Sequence, residues 1–415
     1  MILLKNGKNS KNEYMSLLIK GSKIDKIFRQ KEEVEYIKDG IQVIELNGKL
    51  ILPGIIDPHT HMRDPGFTMK EDFISGSRAC AKGGITTFID MPNTNPPTVT
   101  HESLLQKKIL AKQKSIVNYG FHFGGSRSGN VNEIKKVVKN KLASSVKIFL
   151  NVSTGDMLVE DNEILNNIFE NSELVLVHAE NEMIDKAAEL AKKYKKKLYV
   201  CHISSKNEME RVIKYKKDSI NNGYKIYAEV TPHHLFMNES NMVESEKSKK
   251  LLRMKPELKT RVDNEYLWNA LINGYIDAIG TDHAPHLLEE KEKSTVFGIP
   301  GVETSLALMI DAYNKNKISI NIIEKLMSTN IAKIFKLKNK GILEVGFDAD
   351  ITVVDTDYKW TVKNEHIESK CGWSPFENYE LKGKNYMTIV NGNIVYIDGK
   401  FDMTVKGDDI NEQRL

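Results

Sequence analysis

Side chains able to bind metals or move protons recur in this chain at the ends of short apolar runs. His59 and His61 alternate within the segment Asp57-Pro-His-Thr-His61. Alternate side chains of a strand point to the same face, so both imidazoles would face one ion. An H-x-H pair suits a borderline metal such as zinc, although two core or surface histidines would produce the same pattern.

Residues of the same chemistry follow apolar runs further along the chain, and they are His178, His202 and Asp282. Packing does not readily explain histidines and an aspartate at the ends of four separate runs, because a buried carboxylate without a cation is costly. The set therefore predicts a metal centre to which four strands contribute.

Lys147 is the unusual member of this group, because it lies inside the apolar run Ser145-Val-Lys-Ile-Phe-Leu150. Two interpretations remain open. The side chain could extend its ammonium group to solvent. Alternatively, a desolvated amine could react with CO₂ to give a carbamate, an anion able to bridge two divalent metals and cancel part of their charge.

The elements that must position these residues alternate between helix and strand. Helices are predicted over residues 70–81 and 182–194, and Gly83-Gly84 is typical of a helix end before a strand. Strands are predicted over 85–90, 146–150, 174–178, 198–202 and 278–282. Such alternation indicates a parallel α/β architecture, in which polar residues collect at the carboxyl ends of the strands. Periodicity alone does not separate a closed barrel from an open sheet.

Both ends of the chain have a β pattern instead. Residues 17–19 and 24–28 flank a Gly-Ser turn, and residues 41–46 form another apolar run. Residues 350–354 predict a strand, and Asn391-Gly392 interrupts the run 387–396 as a hairpin turn would. We hypothesise that the two chain ends form one small sheet domain.

Composition limits the classes of function. The 415 residues include 60 basic and 56 acidic ones, a net charge of +4, which gives no case for nucleic-acid binding. Three cysteines are few for this length and favour a reducing compartment. The apolar stretches are too short for a signal peptide or a membrane span. We expect a soluble cytoplasmic protein.

Seven motifs give the chain a specific resemblance. They are Asp57-Pro-His-Thr-His-Met-Arg-Asp-Pro-Gly66, Asp90-Met-Pro-Asn-Thr-Asn-Pro-Pro97, Val177-His-Ala-Glu180, Cys201-His-Ile-Ser204, Glu229-Val-Thr-Pro-His-His-Leu235, Thr281-Asp-His-Ala-Pro-His286 and Phe297-Gly-Ile-Pro-Gly-Val-Glu303. In type and order they resemble those of dihydroorotases of the amidohydrolase superfamily. With the flanking β segments, the resemblance covers nearly the whole chain.

The resemblance implies a fold and a metal centre. The fold is a (β/α)8 barrel over residues 51–342, with a small β-sandwich built from residues 1–50 and 343–415. By similarity, His59 and His61 would bind one zinc ion, and Asp282 would complete the ligands of that ion. His178 and His202 would bind a second zinc ion. Lys147, as a carboxylated lysine, would bridge the two ions, although some bacterial relatives use an aspartate from a nearby loop. His233 and His234 would be structural or would support the ligands.

The implied reaction is the reversible hydrolysis of dihydroorotate to carbamoyl-aspartate, on the route to pyrimidines. Water is a poor nucleophile at neutral pH and an amide carbonyl a poor electrophile. Two metals would address both problems, by generating a bridged hydroxide and polarising the carbonyl oxygen. Asp282 would take the proton of that hydroxide and pass it to the leaving ring nitrogen, first as general base and then as general acid.

Substrate contacts are also implied. Arg63 follows the histidine pair by two residues and offers a bidentate fork for the substrate carboxylate. The other expected contacts are Asn93, Lys255, His286, Phe297 and Gly298. Lys255 departs from the family pattern, where asparagine or arginine is common, and this puts the detail of ring recognition in doubt. Segment 151–157 contains Gly155 and is predicted to be a mobile lid, with Ser153 or Thr154 touching substrate.

Competing functions remain. An allantoinase would use the same metals on a cyclic ureide, but the sequence around Asn93 argues against it. A dihydropyrimidinase substrate has no carboxylate and would not need Arg63. A non-catalytic scaffold for aspartate transcarbamoylase would have lost ligands, whereas the set here is complete. A homodimer is a family expectation, and docking onto a transcarbamoylase stays open. Imidazole and carboxylate ligands would also suit cobalt or manganese.

Overall fold

The strands of the protein form two sheets. The computed structural model describes residues 1–37, 40–152, 157–293 and 296–412. Within these residues the strands are β1 (Ile2–Lys8), β2 (Tyr14–Lys20), β3 (Lys23–Phe28), β4 (Gln42–Glu45), β5 (Leu50–Pro53), β6 (Ile55–Thr60), β7 (Ile85–Asp90), β8 (Asn118–Gly124), β9 (Ser145–Phe149), β10 (Leu174–His178), β11 (Lys197–Val200), β12 (Lys225–Val230), β13 (Ala278–Ile279), β14 (Ile351–Thr361), β15 (Glu380–Val390), β16 (Asn393–Ile397) and β17 (Lys400–Phe401).

Helices connect the strands of the central sheet. In the described part of the chain they are α1 (Phe73–Lys82), α2 (His101–Lys114), α3 (Val131–Lys139), α4 (Asn162–Glu170), α5 (Glu182–Tyr194), α6 (Lys206–Ser219), α7 (Pro232–Phe236), α8 (Glu239–Val243), α9 (Glu246–Leu251), α10 (Arg261–Ile272), α11 (Leu288–Glu292), α12 (Ser305–Asn314), α13 (Ile320–Glu324) and α14 (Asn330–Ile334). None of the described helices is long and apolar enough to cross a bilayer.

The central sheet is a nearly closed barrel. Strands β6 to β13 pair side by side in chain order and in parallel. The last strand approaches the first through a bridge between Thr60 and His283, where the His61 N–H donates to the His283 carbonyl at 2.8 Å. This arrangement confirms the predicted (β/α)8 barrel.

The second sheet takes strands from both chain ends. Its order is β17-β16-β15-β14-β5-β1-β2-β3, with β4 on β1, and the antiparallel pair β5–β14 joins the two halves. Asn391 and Gly392 form the predicted hairpin turn, with φ of +50° and +77°. The predicted β unit from both chain ends is therefore confirmed. The division of the chain at residues 50 and 343 stays a prediction, and β5 straddles the first boundary.

Buried strands carry the core and also fix the position of Lys147. Strands β7 to β10 are buried along their whole length, as expected for parallel strands covered on both faces. The strand register places Lys147 level with Leu176, and Leu176 level with Tyr199. The lysine therefore belongs to an inward-facing layer of the barrel rather than to its surface.

Two predicted elements are shorter in the structure than in the sequence analysis. Helix α1 begins at Phe73 rather than at residue 70, because the Asp72 side chain caps it by accepting from the N–H groups of Ile74 and Ser75. Strand β13 ends at Ile279 rather than at residue 282. There the Thr281 N–H and hydroxyl turn aside to donate to the carboxylate of Asp57, at 3.1 and 2.6 Å.

Candidate metal centre

The residues predicted to bind metal meet at the carboxyl end of the barrel. His59 lies in β6 and His61 directly follows it, His178 ends β10, and His202 comes two residues after β11. Asp282 lies three residues beyond β13. Chain positions more than 200 residues apart are thus brought into contact.

Asp282 is the centre of the first cluster. Its Oδ1 lies 3.1 Å from Nε2 of His59 and 3.0 Å from Nε2 of His61. The other ring nitrogen of each histidine faces an acceptor, since Nδ1 of His59 lies 2.8 Å from Glu229 Oε1 and Nδ1 of His61 lies 2.7 Å from Asn93 Oδ1. Each Nδ1 therefore carries a hydrogen. A neutral ring then directs its Nε2 lone pair at Asp282, and a protonated ring donates from Nε2 to Asp282.

A second pair of histidines lies beside the first cluster. Nδ1 of His178 and Nε2 of His202 are 2.9 Å apart, and the rings of His59 and His202 have centroids 5.2 Å apart. Both rings are buried, and Nε2 of His178 and Nδ1 of His202 have no hydrogen-bond partner among the described residues. The two rings thus share one hydrogen bond between four polar nitrogens.

Lys147 approaches this pair from inside the barrel. Its side chain is 0% exposed, and Nζ donates to Sγ of Cys201 at 3.0 Å. Within the described residues no carboxylate forms an ion pair with this lysine. The prediction that its ammonium extends to solvent does not fit this burial, whereas a buried amine beside the histidines fits the second interpretation.

Burial and neighbouring charges set the protonation of the cluster. Burial, together with the charge of Lys147, lowers the pKa of His178 to about 3, and burial lowers the pKa of His202 well below its ordinary value. Burial opposes ionisation of Asp282, but His59 and His61 hold the pKa of its carboxyl well below the usual range. Neutral imidazoles and an ionised carboxylate are the forms in which these groups bind metals.

The arrangement fits a metal ion on the evidence of its donor atoms. Nε2 of His59 and Nε2 of His61 both lie within about hydrogen-bond distance of Asp282 Oδ1. When both rings are neutral, none of these three atoms carries a hydrogen, so only an added proton or a metal ion can bind between them. Burial works to lower the pKa of His59, yet Glu229 and Asp282 outweigh it and raise that pKa well above its ordinary value. The site therefore calls for a cation, and ligand atoms of His59, His202 and Asp282 all lie within 4.8 Å of one another.

Three functional positions have an unusual backbone. Arg63, His202 and Asp282 have φ of +60°, +38° and +47°, in the left-handed region that side chains other than glycine seldom occupy. Each residue follows the end of a strand, where a sharp turn aims the side chain across the barrel mouth. Such conformations cost of order 1–3 kcal/mol each and cluster at functional sites.

Glu229 was not predicted to belong to the site. It lies in β12 with no exposed surface, and its carboxylate accepts from Nδ1–H of His59, from the Tyr199 hydroxyl at 2.8 Å and from the His202 N–H at 2.9 Å. A glutamate within the apolar strand segment Ala228-Glu229-Val230 was the available signal. Asp57 was also missed as a positioning group, although it binds Thr281 next to Asp282.

Arg63 and His286 lie together beside the histidines that surround Asp282. Nη2 of Arg63 is 3.1 Å from Nε2 of His286, and Nε of Arg63 donates to the Pro285 carbonyl at 3.2 Å. The guanidinium is buried, and burial lowers the pKa of Arg63 to about 10. Among the described residues no carboxylate forms an ion pair with it. Asn93 reaches the same region through its contact with His61.

The remaining predicted contact residues, Lys255, Phe297 and Gly298, lie close to one another and to His286. The Phe297 carbonyl accepts from Nε2 of His286 at 3.0 Å. Lys255 is half-buried, pairs with Glu257 at 3.0 Å and has its Nζ 5.6 Å from the Phe297 ring centroid. Gly298 has φ of +130°, and a Cβ there would meet the Ala284 carbonyl at 2.7 Å, so only glycine fits.

The predicted lid and His234 complete the comparison with the sequence analysis. Ser153, Thr154 and Gly155 lie outside the described residues, so the lid stays a prediction. His234 is buried with Nδ1 2.7 Å from the Thr231 hydroxyl and Nε2 3.2 Å from the Pro256 carbonyl, contacts that hold its own helix in place.

Known proteins resemble the chain over most of its length. Residues 50–395 match the amidohydrolase family. A dihydroorotase from Pyrococcus horikoshii is 39% identical in an alignment 383 residues long that covers 88% of this chain and 85% of that protein. The multifunctional protein pyr1-3 of Dictyostelium discoideum is 34% identical over 84% of this chain, but the match covers 15% of that protein.

A solved structure has the same fold over nearly the whole length of the chain. The L-hydantoinase (dihydropyrimidinase) of Arthrobacter aurescens superposes with a TM-score of 0.89 over 97% of both chains, at 27% identity. The fold is therefore shared with enzymes whose names denote other cyclic substrates, whereas the more similar sequences are dihydroorotases. The chain belongs to the amidohydrolase family and, within it, to the dihydroorotases.

Proposed function

We propose that this chain is a metal-dependent dihydroorotase, which interconverts dihydroorotate and carbamoyl-aspartate in pyrimidine biosynthesis. The observation that carries the choice of substrate is the buried guanidinium of Arg63 beside the metal cluster. A buried cation that has only neutral partners is costly, and an incoming carboxylate would offset that cost. Dihydroorotate carries a carboxylate, whereas dihydrouracil does not.

The donor set supports two metal ions. His59, His61 and Asp282 would hold one ion, and His178 and His202 the other, with Lys147 as a carbamate between them. When bound, these ions supply an activated water and polarise the carbonyl oxygen of the substrate. Zinc is the metal we expect, because imidazole nitrogen and carboxylate oxygen are its usual ligands.

Asp282 is the group we assign to proton transfer. Its Oδ1 faces both imidazoles, which leaves Oδ2 to accept a proton from the attacking water. The same oxygen would then deliver that proton to the ring nitrogen as the amide bond breaks. His59 and His61 hold the pKa of this carboxyl well below its usual range, so the group is a carboxylate at neutral pH.

Arg63, Asn93 and His286 would orient the substrate by its carboxylate. Neutral His286 can donate from Nε2 to Phe297 while its Nδ1 accepts from Lys70 at 3.2 Å. Lys255, Phe297 and Gly298 would contact the ring. With these contacts, the substrate carboxylate would lie on the Arg63 side of the site and the amide bond would lie over the metal-binding residues.

Other functions and partners remain proposals of lower rank. An allantoinase would share the metal cluster, and a scaffold for aspartate transcarbamoylase would not need this complete set of donors. The Dictyostelium relative contains its matching segment inside a much longer chain, which is compatible with docking onto a transcarbamoylase. A homodimer and a cytoplasmic location stay predictions, and the burial of all three free cysteines is compatible with a reducing compartment.

Purified, zinc-loaded protein should be assayed for ring opening of dihydroorotate, with allantoin and dihydrouracil in parallel. Turnover of dihydroorotate alone, abolished by a chelator and restored by zinc, is the expected result. Turnover of allantoin would identify the ureide alternative. Absence of turnover of all three, with metal bound, would favour the scaffold.

A further inference from the structure

A buried lysine outside the candidate metal centre connects two segments that are expected to contact the substrate, residues 253–255 and 297–298. Lys291 lies in α11 with no exposed surface, and its Nζ donates to the Arg253 carbonyl at 2.6 Å and to the Gly298 carbonyl at 2.9 Å. Within the described residues no carboxylate forms an ion pair with it. An ammonium group held only by carbonyl oxygens is an expensive arrangement, so its retention calls for a reason.

The two carbonyls belong to the segments expected to face the substrate ring. Arg253 lies two residues before Lys255, and Gly298 directly follows Phe297. The segments also touch each other directly, because the Gly298 N–H donates to the Arg253 carbonyl at 3.1 Å and the Arg253 guanidinium lies 4.4 Å from the centroid of the Phe297 ring. Lys291 therefore holds the Arg253 and Gly298 segments together by a hydrogen bond to each.

The link extends to the group that faces the substrate carboxylate. The Phe297 carbonyl accepts from His286, which lies beside Arg63. A shift of the Phe297–Gly298 peptide would therefore move both the ring contact and the His286 side chain. Ile299 bridges to His283, the residue after Asp282. The proposed metal ligands are also anchored by Glu229, Asn93 and Asp57, so they should respond less than the ring contact to such a shift.

Burial and the nearby Arg253 lower the pKa of Lys291 to about 7. A purely structural lysine could reach solvent or pair with an acid, as Lys107 does with Asp90. Lys291 instead directs its donors at main-chain atoms next to substrate contacts.

We propose that Lys291 is a positioning residue for ring recognition, which fixes the spacing between segments 253–255 and 297–298. The inference rests on the proposed function, since the two segments are assigned as substrate contacts from it. Loss of the two hydrogen bonds should weaken binding of the substrate ring and leave the chemistry at the metals unchanged.

The test compares Lys291→Met, which keeps the length of the side chain without its donors, with Lys293→Met, an exposed lysine two residues away. For Lys291→Met we expect KM for dihydroorotate to rise about tenfold or more, as for loss of hydrogen bonds to a charged group, with kcat and metal content nearly unchanged. Hydrogen–deuterium exchange should increase in peptides that span 296–300. Lys293→Met should show neither change.

An unchanged KM in folded Lys291→Met would overturn the proposal, and so would equal losses in kcat and metal content, which indicate general damage. If this variant does not fold, Lys291→Gln, which keeps an N–H donor on a shorter side chain, is measured for the same KM and exchange effects. Failure of the proposed function is seen separately, in the parent protein. If the parent opens another cyclic amide instead, the ratio of variant to parent KM on that substrate still decides the role of Lys291.

Discussion

Oε1 of Glu229 lies 2.8 Å from Nδ1 of His59, and the same carboxylate accepts from the Tyr199 hydroxyl and from the His202 N–H. One buried side chain thus orients two of the histidines at the candidate metal centre. Metal-bound histidines commonly donate their second ring N–H to such a carboxylate, which fixes the tautomer and makes the ligand nitrogen more basic.

Replacing Glu229 with Gln or Ala should therefore weaken metal binding without removing a proposed ligand. We expect metal affinity to fall roughly 10- to 100-fold, the usual cost of losing such a partner, measured by metal titration of the apoprotein. Tyr199→Phe removes one donor and leaves the contact with His59, so its effect should be smaller. Equal metal affinity in Glu229→Ala and the parent would contradict this role.

Arg63→Met should selectively impair substrates with a carboxylate. We expect kcat/KM for dihydroorotate to fall about 100-fold or more, because a charge-assisted contact contributes about 3 kcal/mol. Arg63→Lys should recover only part of this, since an ammonium cannot form the bidentate fork. Any slow opening of dihydrouracil should be little affected. A proportionate loss on both substrates would show that Arg63 serves the metal cluster instead.

Lys147 should carry a carbamate in the active protein. The native mass of the metal-loaded parent should exceed the summed mass of the sequence and the bound metal by that of one CO₂, and this excess should disappear in Lys147→Met together with much of the bound metal. The expectation rests on a fully buried amine beside Cys201 that forms no ion pair with a carboxylate among the described residues. A fully active parent without the extra mass would require another bridging group.

Lys107 and Asp90 should matter for stability rather than for chemistry. Nζ of Lys107 lies 2.6 Å from Asp90 Oδ2, with both side chains fully buried, and Asp90 Oδ1 accepts from the Met62 N–H at 2.6 Å. Lys107→Met would leave a buried carboxylate unpaired, at a cost of about 3–5 kcal/mol in the free energy of unfolding. The double variant with Asp90→Asn should recover part of the loss. Thermal unfolding of the three proteins checks this order.

The pH dependence of stability should reveal the perturbed charge of Lys291. Its pKa is about 7 in the folded protein and about 10.4 in an unfolded chain. Between these values the unfolded chain binds a proton that the folded one does not, so this group makes the fold more stable as pH rises. The melting temperature of the parent relative to Lys291→Met should therefore rise from about pH 7 to pH 9. Parallel curves would show that Lys291 keeps an ordinary pKa.

The sequence predicted the barrel, the second β unit and the convergence of the histidines, because each depends on local pattern or on motif. Lys147 was recognised as unusual since a charged residue interrupts an apolar strand. Glu229 also interrupts an apolar strand segment, but that local pattern does not say which side chains the carboxylate orients. Its contact with His59 joins β12 to β6, which lie far apart in the chain, and no local pattern specifies which inward-facing side chains meet across a barrel.

The bend at Thr281–Asp282 was missed for a related reason. The apolar run suggested a strand through residue 282, but the carboxylate of Asp57 captures Thr281 and the backbone turns at Asp282. A local preference was thus overridden by a hydrogen bond between distant segments. The outcome matters for function, since that turn aims Asp282 at the histidines.

The pairing of β5 with β14 also determines how the chain must fold as it is made. Leu50–Pro53 is synthesised roughly 300 residues before its partner Ile351–Val354, which at ribosomal rates is a delay of roughly 15 to 60 s. During that time an apolar strand edge stays unpaired in the nascent polypeptide, and such edges recruit other chains. This delay exposes the nascent chain to aggregation by a route that does not depend on the stability of the finished fold.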